Sequence, residues 1–380
     1  MTRARCAGAR APERSAMPER IRDAVVVGGG PAGLAFAIAA AALGLEVAVL
    51  ERRAGPLDKA CGEGLLPAGV RALGRLGALP HVEARDSAPI SEIRWIEPFG
   101  AVARLKLPPP GGIGIRRTAL SAALLARARD AGVEVLQDAE VTEHRREPGG
   151  IRAIGPGGDV LARVLVAADG LASPTRRREG LEGRAPRRPR FGVRRHVAVP
   201  PWAEAVEVHF GDGAEAYVTP AGAHRVGIAI LFEGREPGGF DALLRRFPAL
   251  AEIAAAGAPD STVLGAGPFD RRATARVADR LVLLGDAAGY VDAVTGDGLA
   301  LAFRCAEDLA AMLPRAIARG AGRAALRPYE AIWRRHFWPY EAWTRSVLWL
   351  SRHPGLRRRV LALAAARPAP FEKVVAAAVG

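Results

Sequence analysis

The chain has 380 residues, 49% of them hydrophobic, with 54 Lys and Arg against 40 Asp and Glu and a net charge of +14. That length accommodates one large domain and a smaller one, and the apolar fraction excludes a chain too polar to fold. The charge is almost all Arg, scattered and interleaved with Glu and Asp and without any nucleic-acid motif, so it excludes a nucleic-acid partner.

Residues 1–20 are basic and rich in Pro and Ala, without the apolar stretch of a signal peptide. They are expected to be a disordered extension, with Met17 a second candidate start. Ala24-Val25-Val26-Val27 reads as a buried parallel strand. It runs into Gly28-Gly29-Gly30-Pro31-Ala32-Gly33, which opens an Ala/Leu-rich helix from Pro31 to Leu43. In this spacing Gly28 permits a tight turn, Gly30 lets a pyrophosphate approach the backbone, and Gly33 lets helix pack on strand. The start of the helix, with Pro31 and Ala32, faces the negative charge. Val47 to Leu50 is the second strand. Glu51 at its end is placed to accept both hydroxyls of an adenosine ribose, with Arg52 beside it.

Lys59-Ala60-Cys61-Gly62-Glu63-Gly64 is a glycine-rich loop carrying a thiol and a carboxylate. The region from about Ala88 to Leu107 reads as strand-rich. Thr118 to Ala131 reads as a helix and Val133 to Leu136 as a strand. A second glycine/acid signature, Ala168-Asp169-Gly170, closes the apolar run Val164 to Ala167. Arg176 to Arg190 reads as an Arg-rich, solvated linker. The segments Val206–Phe210, Ala216–Thr219 and Arg225–Phe232 alternate as strands of a sheet with one covered face. The third signature, Gly285-Asp286-Ala287-Ala288-Gly289, follows the apolar run Leu281 to Leu284. Gly296-Asp297-Gly298 then precedes an apolar helix from about Leu299 to Leu313, whose N-terminal partial charge favours an anion. Trp333, Trp338, Trp343 and Trp349 cluster near the C-terminus with Phe337, Tyr340 and many Arg. The favoured reading is a helix packing its aromatic face on the cofactor domain. The alternative is a lid or peripheral membrane contact through 333–363.

Together the three signatures describe one FAD site assembled from distant parts of the chain. From Asp23 to about Arg315 the sequence resembles the FAD-dependent oxidoreductase superfamily of para-hydroxybenzoate hydroxylase and geranylgeranyl reductase. The resemblance implies an α/β fold with an α+β substrate layer. A Rossmann-like FAD-binding domain of the glutathione-reductase/para-hydroxybenzoate-hydroxylase type would carry a β-sheet substrate domain and C-terminal helices. The expected FAD domain is discontinuous, over 21–87, 108–186 and 268–315. The substrate domain falls at 88–107 and 187–267, and a helical region at 316–380. By the same resemblance Arg117, at R-x-x-L spacing from Leu120, contacts the flavin side of the cofactor. Asp169 and Gly170 lie near the pyrophosphate, and Asp286, with Gly285 and Ala287, binds the ribityl chain. The helix after Gly296, Asp297 and Gly298 points at the flavin pyrimidine edge.

Cys61, Glu63 and Tyr217 are the catalytic candidates. The first two belong to the loop that relatives bring to the flavin ring. Tyr217 belongs to Glu215–Gly222, which resembles the reductases' Tyr-x-Trp-x-Phe-Pro motif but has Thr219 at the Trp place. Gly289 and Ala293-Val294 stand where many aromatic hydroxylases hold His and Pro, which is closer to the reductase and halogenase-like branches. The tryptophan-type halogenase motif and its lysine are absent, which disfavours chlorination. The seven His are scattered, and no metal-ligand cluster is expected. Three Cys, at positions 6, 61 and 305, argue against a disulfide framework and for a reducing, cytoplasmic setting.

The first functional expectation is a single-component, NAD(P)H-dependent flavin monooxygenase using molecular oxygen on a hydrophobic small molecule of secondary metabolism. There is no second glycine fingerprint for a resident nicotinamide, so NAD(P)H is expected as a transient reductant. The alternatives are a geranylgeranyl-reductase-like enzyme acting on C=C or C=N bonds, and a non-enzymatic flavin electron carrier.

Overall fold

A computed structural model describes residues 20–371 apart from 99, 235 and 237. The expected extension, with Met17, lies almost wholly outside the described residues. The first layer is a sheet in the order Val277–Ala278, Leu281–Leu283, Val160–Ala167, Arg22–Val27, Val47–Leu50, Glu134–Leu136. Its inner strands are parallel and buried on both faces, which explains why they read as continuous Val, Ala and Leu runs rather than alternating ones.

Register places Leu50, Val27, Ala167 and Leu283 in one row across four neighbouring strands. The residues that follow that row are Glu51, Gly28, Ala168-Asp169 and Leu284-Gly285. One edge of one sheet therefore gathers signatures that the sequence keeps far apart. This is the carboxyl end of a parallel sheet, where α/β folds bind ligands.

The second layer is a largely antiparallel sheet. Its order is Ala258–Pro259, Arg190–Ala198, Val226–Glu233, Ala214–Pro220, Ala205–Phe210, Glu92–Ile96, Val102–Lys106, with Leu264–Ala266 also on Arg190–Ala198. A three-stranded sheet (Gly64–Leu65, Gly112–Ile115, Ser87–Ile90) sits between the layers. At Gly114 the backbones meet so closely that a Cβ would lie 1.8 Å from the Pro220 carbonyl oxygen.

The helix opened by the first signature runs Pro31–Ala41, and a second, Arg117–Asp130, packs beside it. The apolar helix after Asp297 runs Gly298–Ala318, past the expected end at Leu313 and through Pro314. Burial of Leu313 and Ala316 offsets the hydrogen bond that Pro314 cannot make. Pro328–Ser351 and Pro354–Ala366 complete the chain's helical end. Trp333, Phe337 and Tyr340 are buried in the main core, Trp333 stacked on Phe337 at 4.1 Å and under the Arg276 guanidinium. Trp338 and Trp349 face outward, 72% and 55% exposed.

The reading of 176–190 as a solvated linker is corrected by the structure. Arg176 is fully buried: its guanidinium pairs with Glu182 at 2.8 Å and donates to the carbonyls of Leu171 at 2.9 Å and Ala287 at 3.0 Å. Arg190 is also buried, bridging Glu215 at 2.8 Å and Asp292 at 2.9 Å. Each charge is tolerated because nearly all its donors find carboxylates or carbonyls.

Candidate active site

The glycines of the first signature are fixed by close backbone approach. Gly28 has φ +109°, and a Cβ there would lie 2.5 Å from the Ala168 carbonyl oxygen. A Cβ on Gly33 would lie 2.1 Å from the Gly28 oxygen. Gly285, at φ +62°, meets Ala32, whose Cβ would be 2.7 Å from its own. The first signature thus touches both the second and the third. Gly30 has open space where its Cβ would be, on the side a ligand would approach, and Pro31 starts the helix.

Glu51 is buried, and backbone amides hold its carboxylate: Gly29 N–H donates to Oε2 at 2.8 Å and Arg53 N–H to Oε1 at 3.1 Å. Its remaining lone pairs are free for hydroxyls. Arg52 beside it is exposed and forms no ion pair among the described residues. The Asp169 carboxylate accepts from Ser173 Oγ and from Thr175 N–H at 2.9 Å, capping the short helix Pro174–Arg178. Gly170 follows at φ +82°. Asp286 is half-buried and accepts from Lys59 Nζ at 3.1 Å. Ala287 is buried and offers its carbonyl to Arg176.

Arg117 begins its helix in a buried position, where burial lowers its pKa despite Cys61, Asp286, Asp58 and Glu63 nearby. Its Nη1 has no hydrogen-bond partner. A buried, unpaired guanidinium nitrogen close to Asp286 marks a place where an acceptor is missing. The open side of Gly30, the amide-held Glu51, Asp286 and this orphaned donor together fit FAD. The helix starting at Gly30–Gly33 can hold the pyrophosphate, Glu51 the ribose, Asp286 the ribityl chain and Arg117 the flavin side.

Cys61, Glu63 and Tyr217 do not form one cluster. Glu63, a catalytic candidate from the sequence, is 3% exposed, at φ +59°. Its Oε1 accepts from Arg117 N–H at 2.8 Å and lies 3.6 Å from Arg194 Nη2, while Oε2 is 2.5 Å from His196 Nε2. Arg194 Nη1 reaches His196 Nδ1 at 3.1 Å. A guanidinium can only donate, so Nδ1 accepts and the ring proton sits on Nε2, donating to Glu63. Cys61 Sγ is 3.4 Å from Glu63 N–H. Burial pushes the Cys61 thiol up, Arg117 opposes, and Glu63 adds to the rise. Tyr217 stands apart. Its hydroxyl donates to the Val294 carbonyl at 3.0 Å, and burial with nearby Glu215 raises its pKa well above the ordinary 10.

Asp297 precedes its helix without capping it, and burial pushes its carboxyl up to about 7 against weaker opposition from Thr295 and Arg304. Gly296, at φ +74°, approaches Leu66, and Gly298 approaches Tyr290. Tyr290 is raised well above 10 by burial, with Asp286 and Cys61 among the charges that reach it.

Four residues with roles here were not read from the sequence as site residues: Lys59, Arg176, Arg194 and His196. For the last two a signal existed. Arg190, Gly192, Arg194 and His196 are alternate residues of one strand, all buried. Cations at successive inward positions demand acids from elsewhere in the chain.

The family described as "FAD binding domain" matches residues 22–344. A digeranylgeranylglycerophospholipid reductase of Methanoculleus marisnigri is 30% identical over 331 residues, 82% of this chain and 81% of that protein. A menaquinone reductase of Mycobacterium tuberculosis is 28% identical, over 79% of this chain and 81% of its own. Among solved structures, a triple mutant of the flavin-dependent brominase Bmp2 superposes with a TM-score of 0.76 at 17% identity, over 93% of this chain and 98% of the other. At that identity the likeness speaks for the fold.

Proposed function

The chain belongs to the FAD-binding-domain family and is an FAD-dependent oxidoreductase, and from that premise we propose that it saturates carbon–carbon double bonds in the isoprenoid part of a lipid or quinone. The observation that carries this reading is the buried Glu63–His196 pair, which joins the loop following Glu51 to the strand Arg190–Ala198, with the half-buried Cys61 beside it. Saturating a double bond takes a hydride at one carbon and a proton at the other, away from water. FAD, when bound, supplies the hydride. The protein's part is to hold and deliver the proton. Arg194 fixes the His196 tautomer, and His196 donates to the Glu63 carboxylate. Burial, helped by the Glu63 charge, keeps the Cys61 thiol protonated as the donor. Tyr217, with its hydroxyl already committed to Val294, braces the loop that leads to Asp297.

Relatives named for the reduction of geranylgeranyl lipids and of menaquinone support the substrate class. Transient NAD(P)H remains the proposed reductant, in a cytoplasmic setting. The test is anaerobic mixing of the reduced, FAD-loaded protein with a geranylgeranyl lipid or a menaquinone in heavy water. The expected product has gained two hydrogens, with solvent deuterium at the carbon that takes the proton. Unchanged substrate over a persistently reduced flavin would count against the proposal.

Thr219 favours a second reading, oxygenation by a single-component monooxygenase. It replaces the Trp of the reductase motif, and its hydroxyl donates to the Gly62 carbonyl at 2.7 Å. Rapid mixing of the reduced protein with oxygen, with and without substrate, separates the two readings. A transient absorbance unlike that of oxidised FAD is the oxygenase outcome.

A further inference from the structure

The helices Pro328–Ser351 and Pro354–Ala366 each have an outer face that the core does not use. Trp338 and Trp349 are eleven residues apart, three turns, so they share one face of the longer helix, opposite the buried Trp333, Phe337, Tyr340, Thr344 and Leu348. On the next helix Leu356 and Leu363, two turns apart, are 41% and 60% exposed. Four large apolar side chains in so short a stretch are unusual on a soluble surface.

The charges around them are one-sided. Between 328 and 367 the only carboxylates are Glu330 and Glu341. Both are already paired, Glu330 with Arg276 at 3.3 Å and Glu341 with Arg272 at 2.6 Å and Arg345 at 2.8 Å. Arg334, Arg358, Arg359 and Arg367 are exposed and form no ion pair among the described residues. An outer side of Trp and Leu flanked by uncompensated guanidiniums matches a bilayer with anionic headgroups. Indole and leucine side chains enter the acyl boundary while guanidiniums meet phosphates. Among the described residues no helix is long and apolar enough to cross a membrane, so the contact would be peripheral.

We propose that this helix pair is a docking surface for an anionic lipid bilayer. The surface lies outside the cofactor site, so docking is independent of which reaction the enzyme performs.

The test is flotation of the full, FAD-loaded chain with vesicles of phosphatidylcholine alone or mixed with phosphatidylglycerol. The full chain should float with the mixed vesicles and be released by high salt. Each cation near an anionic surface contributes about a factor of five, so R334Q/R359Q, at positions one turn from Trp338 and from both Leu356 and Leu363, should lower partitioning roughly twentyfold or more. W338S/W349S should lower it about tenfold or more while the bound flavin is retained. Equal flotation with both vesicle types would overturn the proposal, as would flotation indifferent to the Trp substitutions. Concentration-dependent self-association without flotation, lost in W338S/W349S, would assign the face to a second copy of the chain and also overturn it.

Discussion

His196 Nε2 lies 2.5 Å from Glu63 Oε2, joining a strand of the antiparallel sheet to the loop that follows Glu51. Both side chains are 1% exposed. With Arg194 and the Arg117 amide they make Glu63 the meeting point of three segments, so the position of Cys61 depends on a residue 133 places away from Glu63.

Glu63→Gln should therefore make Cys61 more reactive. Burial raises the thiol pKa and the carboxylate adds to the rise, so removing the carboxylate lowers it, and alkylation near pH 8 should accelerate. Mass-mapped iodoacetamide rates across pH would read this out, and a profile identical to the wild type would argue that Glu63 is a brace alone. The same variant should lose about 1–3 kcal/mol in urea unfolding, because Arg194 keeps a weaker partner.

Arg176 and Arg178 stand two residues apart in the same run of arginines but should behave as opposites. Arg176→Ala removes a buried guanidinium from Glu182 and three carbonyls, and should cost about 3–5 kcal/mol of stability. Arg178→Ala, at an exposed position, should stay within about 0.5 kcal/mol. Denaturant midpoints for the two variants would check the contrast.

Asp286→Ala should release the flavin. Losing a carboxylate that would accept from the ribityl hydroxyls, next to Lys59, should weaken FAD binding by about a hundredfold. Purified protein that stays fully yellow would refute the assignment of this residue.

Asp297 gives a pH dependence with a definite sign. Its carboxyl is raised from the ordinary 3.8 to about 7 by burial. Between those values the folded FAD-free protein keeps a proton that the unfolded chain has released, so stability falls as pH rises from about 4 through about 7. Asp297→Asn removes that loss. It should be more stable than the wild type by about 1–3 kcal/mol at pH 8, with the gap closing below about pH 4. Thermal unfolding at the two pH values would show it.

The cofactor edge was legible in the sequence because its demands are local. Gly28 and Gly33 are required by contacts with backbone a few ångströms away, and no other residue type fits. Glu51 announces itself by ending a strand. The buried charges were less legible because their partners are remote. The linker Arg176 and the scattered His196 look like solvent-facing residues until Glu182, Ala287 and Glu63 are brought to them. Glu63 stood out as a candidate, but a carboxylate between glycines ordinarily faces water, and nothing in the loop itself shows its enclosure. Here three separate segments enclose it.

The order of strands also governs when the cofactor edge can exist during synthesis. The strand Arg22–Val27 emerges first, yet its neighbour Val160–Ala167 comes much later, and that strand's own neighbour, Leu281–Leu283, later still. A nascent chain that has not yet extended beyond Asp286 lacks part of the FAD edge and leaves Val160–Ala167 without a parallel partner on one side. Such an intermediate exposes an apolar strand edge until Leu281–Leu283 has been made. Flavin capture is therefore a late event, and chains stalled before it are the ones most prone to aggregate.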